Sequence, residues 1–170
     1  DYDHWASLGN EGWSYDEILK YFKKAEHNET FDDEFHGQGG PLNVSKIRHE
    51  NKPTKDFVEA GSKLYKLNED FNGGEQEGVG FYQTTQKDGK RCSAAKAYLV
   101  PALDRPNLTV ITEANVNKIL IYNNKASGVE YINAEGESHT ISASKEVLLC
   151  SGAFGSPQIL LRSGVGPREE

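Results

Sequence analysis

The chain has 170 residues and a formal net charge of −7, with ordinary apolar, charged and aromatic fractions, which fits a folded globular domain or parts of two. The acidic balance argues against a nucleic-acid or anionic-membrane surface, and no apolar run approaches the roughly 20 residues of a membrane span. Two cysteines without a CxxC, Cys92 and Cys150, argue against a disulfide framework.

The chain opens on Asp1-Tyr2-Asp3-His4-Trp5, polar and acidic, unlike a secretory leader. No methionine is present, so the expectation is a segment of a longer protein. The setting expected is cytoplasmic, or membrane-associated through parts of the full-length protein. Asn-x-Ser/Thr triplets at Asn28, Asn43 and Asn107 are read mainly as chance occurrences in an Asn-rich chain.

Ser14 followed by Glu17 is a capping box, and Ile18, Leu19, Tyr21, Phe22 and Ala25 give the helix behind it an apolar face. Asn28 to Phe35 reads as an acidic loop, with Asp32-Asp33-Glu34 in solvent. His36-Gly37-Gln38-Gly39-Gly40-Pro41 reads as a turn. A short strand follows at Leu42, Val44 and Ile47. Thr54 is expected to cap a second helix carrying Phe57, Val58, Ala60, Gly61, Leu64 and Tyr65. Gly78 to Gln86 reads as a strand, with Phe81, Gln83 and Thr85 on one face and Tyr82, Thr84 and Gln86 on the other. Lys87-Asp88-Gly89-Lys90 is a hairpin turn. A short helix over Ser93–Tyr98 is expected to stop near Pro101.

The pattern changes at Pro106. Leu108–Thr112, Val116–Tyr122, Ala126–Ile132 and His139–Ala143 are short β-rich runs, with turns at Asn123-Asn124 and Ala134-Glu135-Gly136. Together they predict a three- to four-stranded antiparallel meander over 108–143. Glu146 to Cys150 is an unbroken apolar run, the pattern of a strand buried on both faces. Ser156 and Pro157 are expected as N-cap and first residue of a last helix that ends at Gly164. The fold class is therefore α+β (mixed α/β), divided into residues 1–107 and 108–170.

The segment Ser151-Gly152-Ala153-Phe154-Gly155-Ser156-Pro157 is a small-residue turn leading into a helix. Such a turn suits nucleotide phosphates, because backbone can approach closely and the helix start offers free N–H groups. On physical grounds alone a plain strand–turn–helix crossover is the more economical reading. The five histidines (His4, His27, His36, His49 and His139) show no metal-ligand spacing, so no metal site is expected. Trp5 and Trp13 read as packing residues. His36 sits in a Gly-rich turn followed by a strand, which is not a phosphate loop.

The full string from Gly152 through Ser156, Pro157, Ile159, Leu160, Ser163, Gly164, Val165 and Gly166 resembles the second signature of the glucose–methanol–choline (GMC) oxidoreductases. The likeness extends along the chain: Asp1-Tyr2-Asp3-His4-Trp5, Asn10-Glu11-Gly12-Trp13, His36-Gly37 with Gly39-Gly40-Pro41-Leu42, Asp70-Phe71-Asn72-Gly73, Gly78-Val79-Gly80-Phe81-Tyr82-Gln83 and Arg105-Pro106-Asn107-Leu108 are all similar to that family. Choline-dehydrogenase-like and aliphatic-alcohol members look nearest. Leu64–Lys66 departs from a Gly-Tyr-Pro-like turn of relatives.

The resemblance implies FAD as cofactor. Ser151, Gly152 and Ala153, with Ser156 and Pro157, would lie against its ADP part, and Val116 would offer backbone to the adenine edge. It further implies an alcohol substrate, an electron acceptor and hydride transfer to the flavin. No catalytic residue is assigned in this chain. The pyrophosphate loop and the catalytic histidine are expected outside it, so the segment alone is expected to be inactive and free of flavin. A non-catalytic binding module on the same fold is the alternative. The segment is also expected to self-associate through the Val147–Cys150 edge, to exchange its C-terminal part with a neighbour, or to leave that part disordered.

Overall fold

The computed structural model describes residues 1–167. It is a mixed α/β structure whose chain clusters into two compact units, Asp1–Leu108 and Thr109–Glu170.

In the first unit, helix α1 (Tyr2–Ser7) precedes helix α2 (Tyr15–Ala25). The Asp3 carboxylate accepts the Tyr15 N–H at 2.9 Å, and the Trp5 and Trp13 rings lie 5.6 Å apart. α2 starts as its sequence dictates: the Glu17 carboxylate takes the Ser14 hydroxyl at 2.6 Å and the Ser14 N–H at 3.2 Å. Ile18 is its buried residue.

Strand β1 (Glu26–Asn28) pairs in parallel with β2 (Leu42–Val44), His27 opposite Asn43. The Gly-rich turn between them folds back onto the end of α2. A Cβ on Gly37 would collide with the Lys23 backbone, and one on Gly40 with the backbone of Ala25 and Glu26. Those two glycines are therefore required by close backbone approach.

Helix α3 (Lys52–Gly61) carries buried Val58. The hairpin β3 (Gln86–Lys87) and β4 (Lys90–Arg91) turns through Asp88 and Gly89, both at positive φ, as an Asp-Gly pair requires. A π-helical turn (Ala95–Leu99) runs on into a 3-10 turn (Val100–Ala102).

The interior of this unit is held largely by polar groups: Asn28, His36, Asn43, Ser45 and Asn68 are buried beside Ile18, Val58, Cys92 and Ala97. Their hydrogen bonds explain why burial is tolerated. The Asn28 amide donates to Glu26 and Gln83 and its carbonyl takes the N–H groups of Thr30 and Phe31. The Asn43 amide donates to Glu29 and to the Gln86 carbonyl. These two triplet asparagines are inaccessible to a glycosyl carrier in the folded chain, whereas Asn107 is exposed.

In the second unit, β5 (Asn115–Tyr122), β6 (Lys125–Ile132) and β7 (Ser138–Ser142) form a three-stranded antiparallel sheet in sequence order. Asn123 and Asn124, both at positive φ, make the β5–β6 turn. Helix α4 (Gly152–Arg162) packs on β5 around buried Ile119 and Ile159.

Several elements differ from expectation. Helix α1 has no apolar periodicity to announce it. Asn51, not Thr54, caps α3: its side chain accepts both the N–H and the hydroxyl of Thr54. The helical run after Ser93 ends at Ala102, next to Pro101 as expected, but it is a π-helical turn followed by a 3-10 turn rather than a plain helix, and proline is tolerated in the first positions of the 3-10 turn. β2 ends at Val44, and Gly78–Gln86 makes only isolated bridges, Val79 to Leu67 and Thr84 to Ser45, before β3. Leu108–Thr112 is not a strand, so the meander has three strands. Glu146–Cys150 is not a strand either: among the described residues no neighbour pairs with it, and Leu148 is 78% exposed.

Candidate functional site

The residues singled out for cofactor contact all fall in the second unit. Ser151 is the N-cap of α4, and the helix begins at Gly152. Ser156 and Pro157 therefore lie within the helix rather than at its cap and first turn. The reason is local: the Ser151 N–H donates to the Ser156 hydroxyl at 3.1 Å, so a side chain inside the helix satisfies a group just ahead of it. Pro157, the sixth residue of the helix, removes one N–H from its hydrogen-bond ladder.

Ser151, Gly152, Ala153 and Phe154 are exposed, Phe154 at 93%. Gly152 has φ +80, and nothing lies within 4 Å of the position its Cβ would take. Ser151 makes no side-chain cap, so the first-turn N–H groups point outward without a partner from the helix. An open glycine face, free amides and the positive end of the helix dipole fit a diphosphate or ribose at this end. The residues present are thus compatible with the ADP part of FAD.

At its other end α4 is anchored. Gly164, at φ +79, lets the Gly164 N–H reach Leu161 and the Val165 N–H reach Leu160, which is a Schellman closure. Ser163 and Arg162 both engage β5: the Ser163 hydroxyl accepts the Ile119 N–H at 2.8 Å, and the Arg162 guanidinium donates to the Asn117 side-chain Oδ1 at 3.5 Å.

Val116 is half-buried on β5, opposite Tyr131 of β6, next to a register shift between Val116 and Lys118. β5 is an edge strand, so one row of its backbone groups faces away from β6, and Ser163 takes the Ile119 N–H of β5. No hydrogen bond joins Val116 to the Ser151–Pro157 turn among the described residues.

The first unit contains what sequence reasoning missed. Asp33, His36 and Asp70 offer ligand atoms within 4.8 Å of one another. His36 Nδ1 lies 2.9 Å from Asp33 Oδ1, and His36 Nε2 lies 3.5 Å from Asp70 Oδ1. The His36 hydrogen bond holds the Asp33 carboxyl below the usual carboxylate range. Asp70 comes from a distant loop, so no sequence spacing could announce the cluster. The turn at Gly37 and Gly40, forced down onto α2, is what buries His36.

An open cavity of about 920 Å³ is lined by Tyr15, Phe22, His36, Leu42, Gly73 and Gln76 among others. A second, of about 660 Å³, is walled by Tyr2, Trp5, Trp13, Tyr21 and Phe22. No helix among the described residues is long and apolar enough to cross a membrane.

The profile of the GMC oxidoreductase family matches residues 1–170. An alcohol dehydrogenase [acceptor] of Pseudomonas putida is 46% identical over 173 residues, covering 100% of this chain and 31% of that protein. An oxygen-dependent choline dehydrogenase of Yersinia pseudotuberculosis is 45% identical over 174 residues, 99% of this chain and 31% of the relative. Among solved structures, pyridoxine 4-oxidase from Mesorbium loti superposes with a TM-score of 0.88 at 34% identity, covering 99% of this chain and 33% of its own. An FAD-dependent oxidoreductase from Chaetomium thermophilum gives 0.89 at 30% identity, covering 99% and 32%. The chain spans about a third of the length of the curated relatives it matches.

Proposed function

This chain belongs to the GMC oxidoreductase family, and on that premise we propose that it is part of an FAD-dependent enzyme that oxidises an alcohol. The observation that carries the reading for this chain is the exposed start of α4, where Gly152 leaves open space and unpaired amides at a helix N-terminus.

When bound, FAD supplies the hydride acceptor for the alcohol carbon. In this reading the chain's own residues hold and orient that group. Ser151, Gly152 and Ala153 offer backbone to its ADP part. The Ser156 hydroxyl fixes the turn by accepting the Ser151 N–H, and Pro157 stiffens the helix start. Val116 gives backbone at the β5 edge. The general base that takes the hydroxyl proton is assigned to no residue of this chain.

The substrate class proposed is choline-like or aliphatic primary alcohols, because relatives at similar identity are named as an alcohol dehydrogenase and a choline dehydrogenase. A separate electron acceptor completes the reaction. The intact enzyme is placed in the cytoplasm, with membrane association as the alternative.

The test is the full-length protein, purified and assayed with choline and a series of primary alcohols against an artificial electron acceptor. Bound flavin and turnover of one class are expected. A flavin-free protein, or a flavoprotein inert to every alcohol, would overturn the reading in favour of a non-catalytic module.

A further inference from the structure

The environment of His36 is chemically incomplete. Its side chain is 2% exposed, and its ring lies 5.2 Å from that of Phe31. Asp33 Oδ1 also accepts the N–H groups of Phe35 and His36, so this oxygen is an acceptor in every contact it makes. His36 Nδ1 at 2.9 Å must therefore be the donor. In the neutral imidazole that leaves Nε2 as a bare lone pair.

Nε2 is buried and has no hydrogen-bond partner. What faces it is Asp70 Oδ1 at 3.5 Å, another acceptor, which is itself held by the Asn72 N–H at 3.0 Å. Two acceptors this close repel unless something positive lies between them. The distance is too long for a charge-assisted hydrogen bond, which runs about 2.7–2.9 Å. It matches two ligands of one cation: bonds of about 2.0–2.1 Å at a tetrahedral angle separate the ligand atoms by about 3.3 Å.

The ammonium of Lys23, which reaches the Asp33–Glu34 backbone, does not fill that role. Lys23 Nζ donates to the backbone carbonyls of Asp33 and Glu34, each at 3.0 Å, and leaves the carboxylates uncompensated. His36, Asn72, Gly73 and Gly74 line the open cavity of about 920 Å³, so the cluster borders open space.

We propose that His36 Nε2 and the Asp70 carboxylate form a binding site for a divalent transition-metal ion of the zinc class, with Asp33 orienting the imidazole from its far side. The arrangement is the carboxylate–histidine–metal relay, in which the outer carboxylate fixes the tautomer and raises ligand basicity. The ion would pin the 33–37 turn to the 68–74 loop. It is independent of flavin and of the reaction proposed above.

The protein, stripped with chelator, is titrated with Zn²⁺ by calorimetry and with Co²⁺ by visible absorption. One ion per chain is expected. Asp70→Asn keeps the shape and the Asn72 contact but should abolish the stoichiometric site, and Asp33→Asn should weaken it about 10–100-fold. His36→Gln should also abolish it, but a buried substitution can unfold the unit, so near-ultraviolet circular dichroism accompanies each variant. The ¹⁵N shifts of His36 in the unaltered protein give an independent readout. Metallated Nε2 in the presence of Zn²⁺ supports the site. Protons on both ring nitrogens with Zn²⁺ in excess, absence of Zn²⁺ binding, or binding that survives Asp70→Asn would overturn it.

Discussion

The Ser163 hydroxyl accepts the Ile119 N–H at 2.8 Å and donates to the Ile159 carbonyl at 2.6 Å, so one side chain ties the end of α4 to the middle of β5. Ile119 and Ile159 are the buried apolar residues of this unit. Ser163→Ala would leave an edge-strand N–H facing the helix without a partner. A buried unsatisfied donor costs about 1–3 kcal/mol. Urea unfolding of the variant should show a loss of that order, and an unchanged midpoint would mean that water replaces the hydroxyl freely.

Much of this was legible where local chemistry decides. The Ser14–Glu17 box, the Asp88-Gly89 hairpin, the Asn123-Asn124 turn and the Gly164 closure each follow from residue types that few other conformations satisfy. Where partners decide, the sequence misleads. Val147–Cys150 has the composition of a buried central strand, yet strand structure needs neighbours, and none pairs with it among the described residues. Ser156-Pro157 carries the usual start signal, but the Ser156 hydroxyl bonds backward to Ser151 and the helix begins earlier. His36 looked like a turn residue because its second partner, Asp70, arrives through tertiary folding alone. The roles proposed for Val116 and Ser151–Ala153 rest on backbone, which leaves no side-chain pattern to read.

Two glycines separate close approach from backbone conformation. A Cβ on Gly37 would run into the Lys23 backbone, which cannot swing away as a side-chain tip could. Gly136 has φ +83 with open space around it. Gly136→Ala should therefore cost only the strain of a left-handed residue, about 1–2 kcal/mol. Gly37→Ala should exceed it clearly and disorder the 36–41 turn. Thermal melts of the two variants compare them directly, and equal losses would contradict the packing described here.

Acid should weaken the first unit through its helix cap. The Ser14 hydroxyl, bonded to the Glu17 carboxylate, holds that carboxyl below its ordinary value. A group depressed in the folded state is protonated first in the unfolded chain. Its contribution is thus complete above the unfolded carboxylate range and is lost as pH falls through the folded value. The difference in melting temperature between the parent and Glu17→Gln should be largest near neutral pH and shrink on acidification. Parallel melting curves across that range would remove the charged cap from the account.

Gly152 offers a test that separates fold from cofactor. Its Cβ would meet nothing within 4 Å, so Gly152→Val in the chain alone should cost mainly the strain of φ +80, about 1–2 kcal/mol for a left-handed residue and more for a β-branched one. In the full-length protein the same side chain would occupy the space proposed for the ADP part of FAD. Flavin content, read as the ratio of visible to ultraviolet absorbance, should fall much further than stability does. Retention of full flavin by a stable Gly152→Val protein would move the cofactor contact elsewhere.

The last expectation concerns association. Among the described residues Val147–Cys150 has no pairing strand, and Leu148, Phe154 and Leu161 are 78%, 93% and 53% exposed. Unpaired backbone next to apolar side chains is a template for a second chain. Burial of apolar area is worth about 25 cal/mol per Å², so a few hundred Å² gives a driving force of several kcal/mol before association costs. The segment should therefore self-associate with rising concentration, through residues 147–161. Leu148→Lys together with Phe154→Asp should shift light scattering toward monomer without changing the melt of the β5–β7 sheet, since neither residue packs there. Hydrogen exchange adds the decisive detail: amides of 147–150 should gain protection as concentration rises. A monomer at all concentrations, with those amides already protected at the lowest, would show that the chain satisfies this strand by itself and that the exposed run is no docking edge.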